Sequence, residues 1–438
     1  MQRVYLLSSQ HVANNYTMSL VRTSLLNGIS VVVKVASALL LNKILAVYVG
    51  PAGYAIIGQF QNAVSIVVSL AGGVVATGVT KATAQYYDDE ARQHAVWQTA
   101  IRFSLVASII AGGSLLFVGH WLSEWLLHRS DMYSVFVWLA LTLPAMAVNN
   151  LLLAIVNGKK EVSTYVMANI VGSLISLIVI GLLAYFFGLY GALVAFTINP
   201  AIVLLATAFM VARRAWFKSK FLWGKVNQAA LLELSGFGVM GLTSAFAMPI
   251  TFMLIRDHLA SSLGLSAAGY WQASWKISEI YLMLVTTTLS VYYLPRLAEI
   301  RTAPELKAEI IKVYRFVMPI VIVGALMIFI LRDFIIQVMF TRDFMPMCEL
   351  FPWQLMGDVI KIGSWILGYI LVGRAMVKYF VITEIVFSVL FYSFTLLLVG
   401  YFGLVGVSMG YVITYCLHWI CMAYLVMNEI RMLGRVYD

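Results

Sequence analysis

Charge is what this chain has least of. Only 11% of its 438 residues are Asp, Glu, Lys or Arg, against roughly 25% in an ordinary soluble domain. So little charge cannot cover a water-facing surface of this size. That excludes a soluble enzyme, a disordered scaffold and a soluble nucleic-acid-binding protein, in spite of the formal net charge of +10. Cysteine is scarce as well: Cys348, Cys416 and Cys421 form no CxxC pair and have no His at ligand spacing. An odd count of three also argues against a disulfide framework. No GxxxxGK[ST] loop is present, and no loop is long enough for a nucleotide-binding domain, so the chain is not by itself an ATP-driven pump. The first residues lack the short apolar core and small-residue cleavage site of a secretory signal. The first long apolar run begins near Ser24, so the first span is expected to act as its own uncleaved insertion signal. Met18, opening MSLVRTSLL, is an alternative start to Met1, and N-terminal sequencing of the native protein decides between them.

What the chain has in abundance is apolar length. It is 62% hydrophobic with mean hydropathy +0.91, the composition of a polytopic membrane protein. A hydrocarbon core about 30 Å thick needs roughly 20 apolar helical residues. Twelve runs qualify: 24–47, 55–80, 96–118, 134–156, 164–186, 191–212, 230–255, 269–294, 310–330, 350–372, 379–399 and 404–428. With the N-terminus placed in the cytoplasm, the inner segments collect twenty of the 29 Lys+Arg residues and the outer segments only Arg129, Arg256, Arg332 and Arg342. Such a bias is the positive-inside signal, so both termini are expected in the cytoplasm. The net charge therefore reports topology, not a nucleic-acid partner.

The chain also repeats itself at an offset of about 215. Trp138, Gly158, Ser173, Gly188 and Gly191 recur as Trp353, Gly373, Ser388, Gly403 and Gly406, and FGLYG before span six matches FGLVG before span twelve. Ala52-Gly53-Tyr54 recurs as Ala268-Gly269-Tyr270 before span eight. Six spans per copy is an even number, so the copies run parallel, as in secondary transporters that bind substrate near the bilayer midplane between repeats. The expected fold is all-α integral membrane, about twelve transmembrane helices as two parallel six-helix lobes around a central cavity. The boundaries are a cytoplasmic segment 1–23, an N-lobe 24–212, a basic cytoplasmic linker 213–229, a C-lobe 230–428 and a cytoplasmic tail 429–438.

Five basic residues fall inside spans: Lys34, Lys43, Arg102, Lys276 and Lys361. A charge at mid-bilayer is costly and normally faces a cavity or a partner. Spans eight and ten both enter from outside with Trp at the interface, as Trp271-Gln272-x3-Lys276-x2-Glu279 and Trp353-Gln354-x3-Asp358-x2-Lys361. The charges lie about 7 and 12 Å below the Trp at 1.5 Å per residue, with opposite signs at each depth. That pattern pairs Lys276 with Asp358 and Glu279 with Lys361. Two readings stand: salt bridges that pin the C-lobe, or a charged cavity wall whose pairs rearrange during transport. Lys34 shares a face with Asn27, Ser30 and Ser37 and lies too deep to snorkel easily, so it is read as a cavity-facing cation. Lys43 and Arg102 are read as snorkelling. Asn62 lies on a polar and small-residue stripe with Gly58, Ser65, Ser69, Gly72 and Thr80, which serves helix packing or a polar lining. Gly236, Gly238, Gly241 and Pro249 mark span seven for a kink or hinge. Arg256 ends that span, either reaching inward or anchoring at the interface. Glu384 in span eleven is deep and lacks an obvious partner, a candidate for proton or Na⁺ coupling.

On these segments the chain resembles the polysaccharide-transport branch of the multidrug/oligosaccharidyl-lipid/polysaccharide exporter superfamily. It is most similar to the O-antigen and lipid III (enterobacterial common antigen) flippases. The resemblance runs end to end from Met18, carried by KVASALLLNKILAVYVGPAG (34–53), GVTKATAQYYDD (78–89), GYWQASWKISEIYL (269–282), SVYYLPRL (290–297) and FPWQLMGDVIKIGSWILGYIL (351–371). It implies a transporter in the bacterial inner membrane, not an enzyme. Its cargo would be an undecaprenyl-pyrophosphate-linked oligosaccharide, moved from the cytoplasmic to the periplasmic leaflet. No cofactor or metal is implied beyond H⁺ or Na⁺ as a coupling ion. The partners implied are the lipid-linked oligosaccharide, membrane lipids and other glycan-assembly membrane proteins. On the same basis Lys34, Lys276 and Lys361, then Arg256 and Asn62, are candidates for the pyrophosphate or cavity. Glu279, Asp358 and Glu384 are candidates for ion coupling or cavity charge pairs. Competing readings are a multidrug exporter of the same fold, whose cavity would be dominated by carboxylates, and a membrane polysaccharide polymerase or ligase, which needs a sizeable periplasmic loop absent here.

Overall fold

A computed structural model describes the backbone of residues 2–236 and 238–437. Side chains are described outside 1–27, 74, 232, 233, 235–239, 284 and 435–438. The alternative start at Met18 and the side chain of Asn27 therefore lie outside the described residues.

The described chain is helical throughout. The helices are α1 (Gln2–Val68), α2 (Val74–Gln85), α3 (Glu90–Leu127), α4 (Tyr133–Gly158), α5 (Val162–Ala212), α6 (Gln228–Gly236) and α7 (Gly238–Leu263). They continue as α8 (Leu265–Thr288), α9 (Leu294–Glu299), α10 (Ala303–Ile330), α11 (Arg332–Met339), α12 (Phe351–Gly373), α13 (Val377–Phe402) and α14 (Val405–Tyr437). Among the described residues eight helices are long and apolar enough to cross a membrane, and two of these are double length: Gly28–Gln85 and Val162–Ala212. A straight helix of 58 residues would reach about 87 Å, nearly three hydrocarbon thicknesses. It therefore folds back, and the reversals fall on glycines: Gly50 (φ 64°, ψ −175°) in α1 and Gly188 (φ 56°, ψ −135°) in α5. With these two divided, and α7 and the bent α8–α9 pair added, each of the twelve expected spans has its helix.

Backbone geometry supports the duplication independently of residue identity. Gly403 (φ 58°, ψ −143°) ends α13 in nearly the conformation of Gly188, and the two are 215 residues apart. Lys160 (φ 58°) and Ala375 (φ 53°), two of the three non-glycine residues at positive φ, are also 215 apart. A non-glycine side chain at positive φ is uncommon, so a shared offset for both pairs marks an inherited turn framework.

The helices gather into two compact units. The first comprises Met1–Ile44, Val67–Trp121 and Asp131–Gly238; the second comprises Leu45–Ile66, Leu122–Ser130 and Val239–Asp438. The first has a core of Val79, Trp97, Leu151, Ile155, Val211 and Leu222. The basic linker 213–229 is fixed to this unit. Phe221 stacks on His94 with ring centroids 4.0 Å apart, and Trp216 Nε1 donates to Glu161 at 3.2 Å. Asn227 Oδ1 accepts from the Ala230 amide at 3.1 Å and so caps α6. The second unit is built on α12, which packs against α10, α14 and α9. Its core includes Leu289, Tyr293, Val321, Ile362, Ile366 and Ile370. A Cβ on Gly357 would collide with the Tyr411 ring, so the absence of a side chain there lets α14 lie close against α12.

Candidate functional site

Polar groups inside the second unit form two separate clusters. The first is centred on Arg256, in the C-terminal half of α7 and only 4% exposed. Its Nε donates to Gln272 Oε1 at 2.9 Å and its Nη1 to Gln59 Oε1 at 2.9 Å. The Asn62 amide, turned so that both groups are satisfied, accepts from Nη2 at 2.9 Å. The guanidinium also lies 5.7 Å from the centroid of the Trp271 ring. A planar five-donor fork suits this arrangement, and an ammonium does not. Arg256 is thus no interfacial anchor. It is a buried cation at the end of the seventh expected span, held by three neutral amides, Gln59 and Asn62 from the second and Gln272 from the eighth. Asn62 belongs to its shell and does not line a free polar wall.

The second cluster corrects the expected charge pairs. Lys276 bonds Glu279 on its own helix at 2.9 Å. Asp358, fully buried, accepts from Ser278 Oγ at 2.6 Å and Tyr411 Oη at 2.9 Å. Gln354 extends the network, donating to Ser278 Oγ at 3.3 Å and accepting from Ser408 Oγ at 3.4 Å. The pairs Lys276–Asp358 and Glu279–Lys361 do not form among the described residues. Helical phase gives the reason: Ser278 is two residues from Lys276, about 200° round the helix. The face of α8 that meets α12 carries serines, while Lys276 and Glu279 look elsewhere.

Lys361 has a different environment again. It is 7% exposed, and its ammonium lies 4.7 Å from the Trp275 ring, 4.6 Å from Trp365, 5.7 Å from Tyr411 and 5.4 Å from Tyr415. Four rings thus share one cation, the arrangement by which aromatic faces take over from water. Glu384 on α13 lines a cavity of about 440 Å³ that Trp365 and Tyr415 also line. The charge of Lys361 acts on its carboxylate, but no hydrogen bond or ion pair of Glu384 forms among the described residues. In the first unit, Lys34 is exposed on α1. The remaining membrane charges predicted from sequence thus divide into an exposed lysine, a neutralised pair, a boxed lysine and a cavity carboxylate.

Sequence reasoning missed the neutral members. Gln59, Ser278, Ser408 and Tyr411 make the bonds that organise both clusters, yet uncharged polar residues in an apolar helix look the same as small-residue packing. Part of the stripe in the second span proved to be packing: Gly58 abuts Gln272, and Thr80 Oγ1 donates to the Ala76 and Ala154 carbonyls at 3.2 Å.

Residues 44–349 match the family model described as polysaccharide biosynthesis protein. The chain belongs to this polysaccharide biosynthesis family. It is 31% identical over 407 residues to proteins named lipid III flippase in Escherichia coli (strain K12) and Shigella flexneri, covering 92% of this chain and 97% of each of them. In fold it is similar to a multidrug resistance MATE family transporter of the MOP superfamily solved in an inward-facing conformation. The TM-score is 0.78 at 16% identity, covering 92% of this chain and 96% of that one. This member of the polysaccharide biosynthesis family is a multi-pass membrane transporter and not an enzyme.

Proposed function

We propose that the protein is a flippase for an undecaprenyl-pyrophosphate-linked oligosaccharide, a lipid III or O-antigen unit. It would carry this cargo from the cytoplasmic to the periplasmic leaflet of a bacterial inner membrane. The observation that carries the reading is near full-length similarity to lipid III flippases, 92% of this chain against 97% of theirs. The positive-inside bias supports cytoplasmic termini. In this reading the lobes 24–212 and 230–428 alternate access to the two sides.

The pyrophosphate needs cations that retain free donors. Lys34, exposed on α1, fits best, and Lys276 joins it when Glu279 releases the ammonium. Lys361 contributes from its aromatic box as a fixed positive potential. Arg256 and Asn62 have spent their hydrogen-bonding capacity on Gln59, Gln272 and each other, and hold the helices that surround the path. Coupling to H⁺ or Na⁺ would run through the membrane carboxylates Glu279, Asp358 and Glu384.

A deletion strain tests the function. Loss of surface glycan should accompany build-up of the lipid-linked intermediate in the cytoplasmic leaflet, and this protein should restore both. If the intermediate reaches the periplasm in a strain lacking every flippase of this type, the proposal fails.

A further inference from the structure

The cavity beside Glu384 has a composition that the flippase reading does not yet use. It lies wholly within the second unit, between α7, α12, α13 and α14, with a volume of about 440 Å³, inside the ~300–1,000 Å³ range of small-molecule sites. Trp365, Tyr369, Phe387 and Tyr415 supply aromatic walls. Most hydroxyls on the wall are already committed: Thr383 and Thr414 donate to backbone carbonyls of their own helices, and Ser388 to Met248 Sδ. Two groups with charge or an imidazole nitrogen are placed to meet a ligand. Glu384 makes no hydrogen bond or ion pair among the described residues, and His418 has committed Nδ1 to Ser364 Oγ, which leaves Nε2.

Charge selects the ligand class. Beside Glu384, the ammonium of Lys361 is held against the Trp365 and Tyr415 rings that line the cavity. A bare anion such as pyrophosphate would meet Glu384, and an organic cation stacked on Trp365 or Tyr415 would lie near the ammonium that these rings already hold. A neutral molecule with an apolar face and a hydroxyl edge meets neither obstacle. A pyranose ring has that form: its C–H face covers an aromatic plane while its hydroxyls donate to a carboxylate or accept from an imidazole. We propose that this cavity is a sugar subsite, taking neutral pyranose units stacked on Trp365 and Tyr415 with hydroxyls held by Glu384 and His418. The assignment rests on the oligosaccharide reading above and separates two parts of the cargo, the glycan in this cavity and the pyrophosphate near Lys34 and Lys276. It also makes Glu384 a ligand of the cargo, leaving ion coupling to Asp358 and Glu279.

The test uses the full chain with Cys348, Cys416 and Cys421 replaced by Ser and a reporter thiol introduced by Thr383→Cys on the cavity wall. The rate of N-ethylmaleimide labelling is measured with maltose or N,N′-diacetylchitobiose, and separately with inorganic pyrophosphate, tetraphenylphosphonium and Na⁺. The disaccharides should slow labelling and the three ions should not. Glu384→Gln should raise the disaccharide concentration for half-protection about tenfold, the worth of one hydrogen bond to a charged acceptor. Trp365→Leu should do the same while elution on gel filtration stays unchanged. Protection by an ion in place of the sugars, or by nothing, overturns the subsite. Translocation of lipid-linked oligosaccharide in proteoliposomes separates the two levels. If the unsubstituted protein moves none, the flippase reading fails. If it moves the cargo, and Glu384→Gln and Trp365→Leu move it at the full rate, the reading stands and the sugar subsite falls.

Discussion

The network around Asp358 makes a quantitative claim about which residues are energetically coupled. Its carboxylate accepts from Ser278 Oγ at 2.6 Å and Tyr411 Oη at 2.9 Å in a fully buried setting. A hydrogen bond to a charged group contributes about 1.5–3 kcal/mol, and a stranded buried partner costs about 1–3 kcal/mol. Ser278→Ala should therefore destabilise by about 2 kcal/mol. Asp358→Asn should cost somewhat less, because relief of carboxylate desolvation offsets part of the loss. In a double-mutant cycle these two should couple by about 1 kcal/mol or more, since each removes the same bond. Lys276→Gln and Asp358→Asn should instead add to within about 0.5 kcal/mol, as residues without shared partners do. For a chain of 438 residues unfolding as a unit at ~2 cal/mol/K per residue, 1 kcal/mol corresponds to only about 1 °C in Tm. The cycle is therefore better measured by denaturant unfolding in bicelles. Additivity between Ser278 and Asp358, with coupling above about 1 kcal/mol between Lys276 and Asp358, would restore the cross-helix salt bridge and refute the serine-centred network.

Arg256→Lys keeps the charge but cannot reach three amides at once. It should destabilise by about 3 kcal/mol, the loss of one to two charge-assisted bonds, read by the same unfolding assay. Gly188→Ala and Gly403→Ala each place a Cβ at positive φ with ψ near −140°, and each should cost about 1–3 kcal/mol. Equal losses at both sites would show that the repeated turns are equally strained. Lys34→Ala removes an exposed side chain. Stability should change by less than about 0.5 kcal/mol, while flipping of the lipid-linked oligosaccharide in proteoliposomes should fall at least about tenfold, the worth of one charge-assisted hydrogen bond to the pyrophosphate.

Span number and duplication were legible in the sequence because each rests on a strong signal, whereas the hinge expected at Gly236 and Gly238 lies among side chains outside the described residues. Those signals are some twenty apolar residues in a row and glycine at a reversal. The charge partners were not legible. Depth below an interfacial Trp fixes height along a helix but not azimuth, and azimuth decided that Ser278, not Lys276, meets Asp358. Arg256 was ambiguous for a related reason: its partners Gln59 and Asn62 lie almost 200 positions away on a helix whose small-residue stripe read as packing.

The duplication also separates what the fold requires from what function requires. At an offset of 215, Gln354, Asp358, Lys361, Ser408 and Tyr411 correspond to Leu139, Leu143, Met146, Leu193 and Phe196. The first copy thus builds the same helix framework, with the same turns at Lys160 and Gly188, around an apolar seam: Leu139, Leu143, Met146 and Leu193 are all buried. Buried ionic and polar groups replaced by well-packed apolar residues often leave a protein as stable or more so. The polar seam of the second copy is therefore not the price of folding, and its retention needs a functional cause. The direct test transplants the first copy's solution by combining Gln354→Leu, Asp358→Leu, Lys361→Met, Ser408→Leu and Tyr411→Phe with Ser278→Ala, which removes the hydroxyl that would otherwise lose its partners. This variant should insert, elute as a monodisperse species and unfold no more easily than the unsubstituted protein, yet fail to restore surface glycan in a deletion strain. Restored glycan would mean that the charges of α12 serve packing alone. A variant that is inactive and also severely destabilised would mean that the two halves solve the same packing problem in ways that cannot be exchanged.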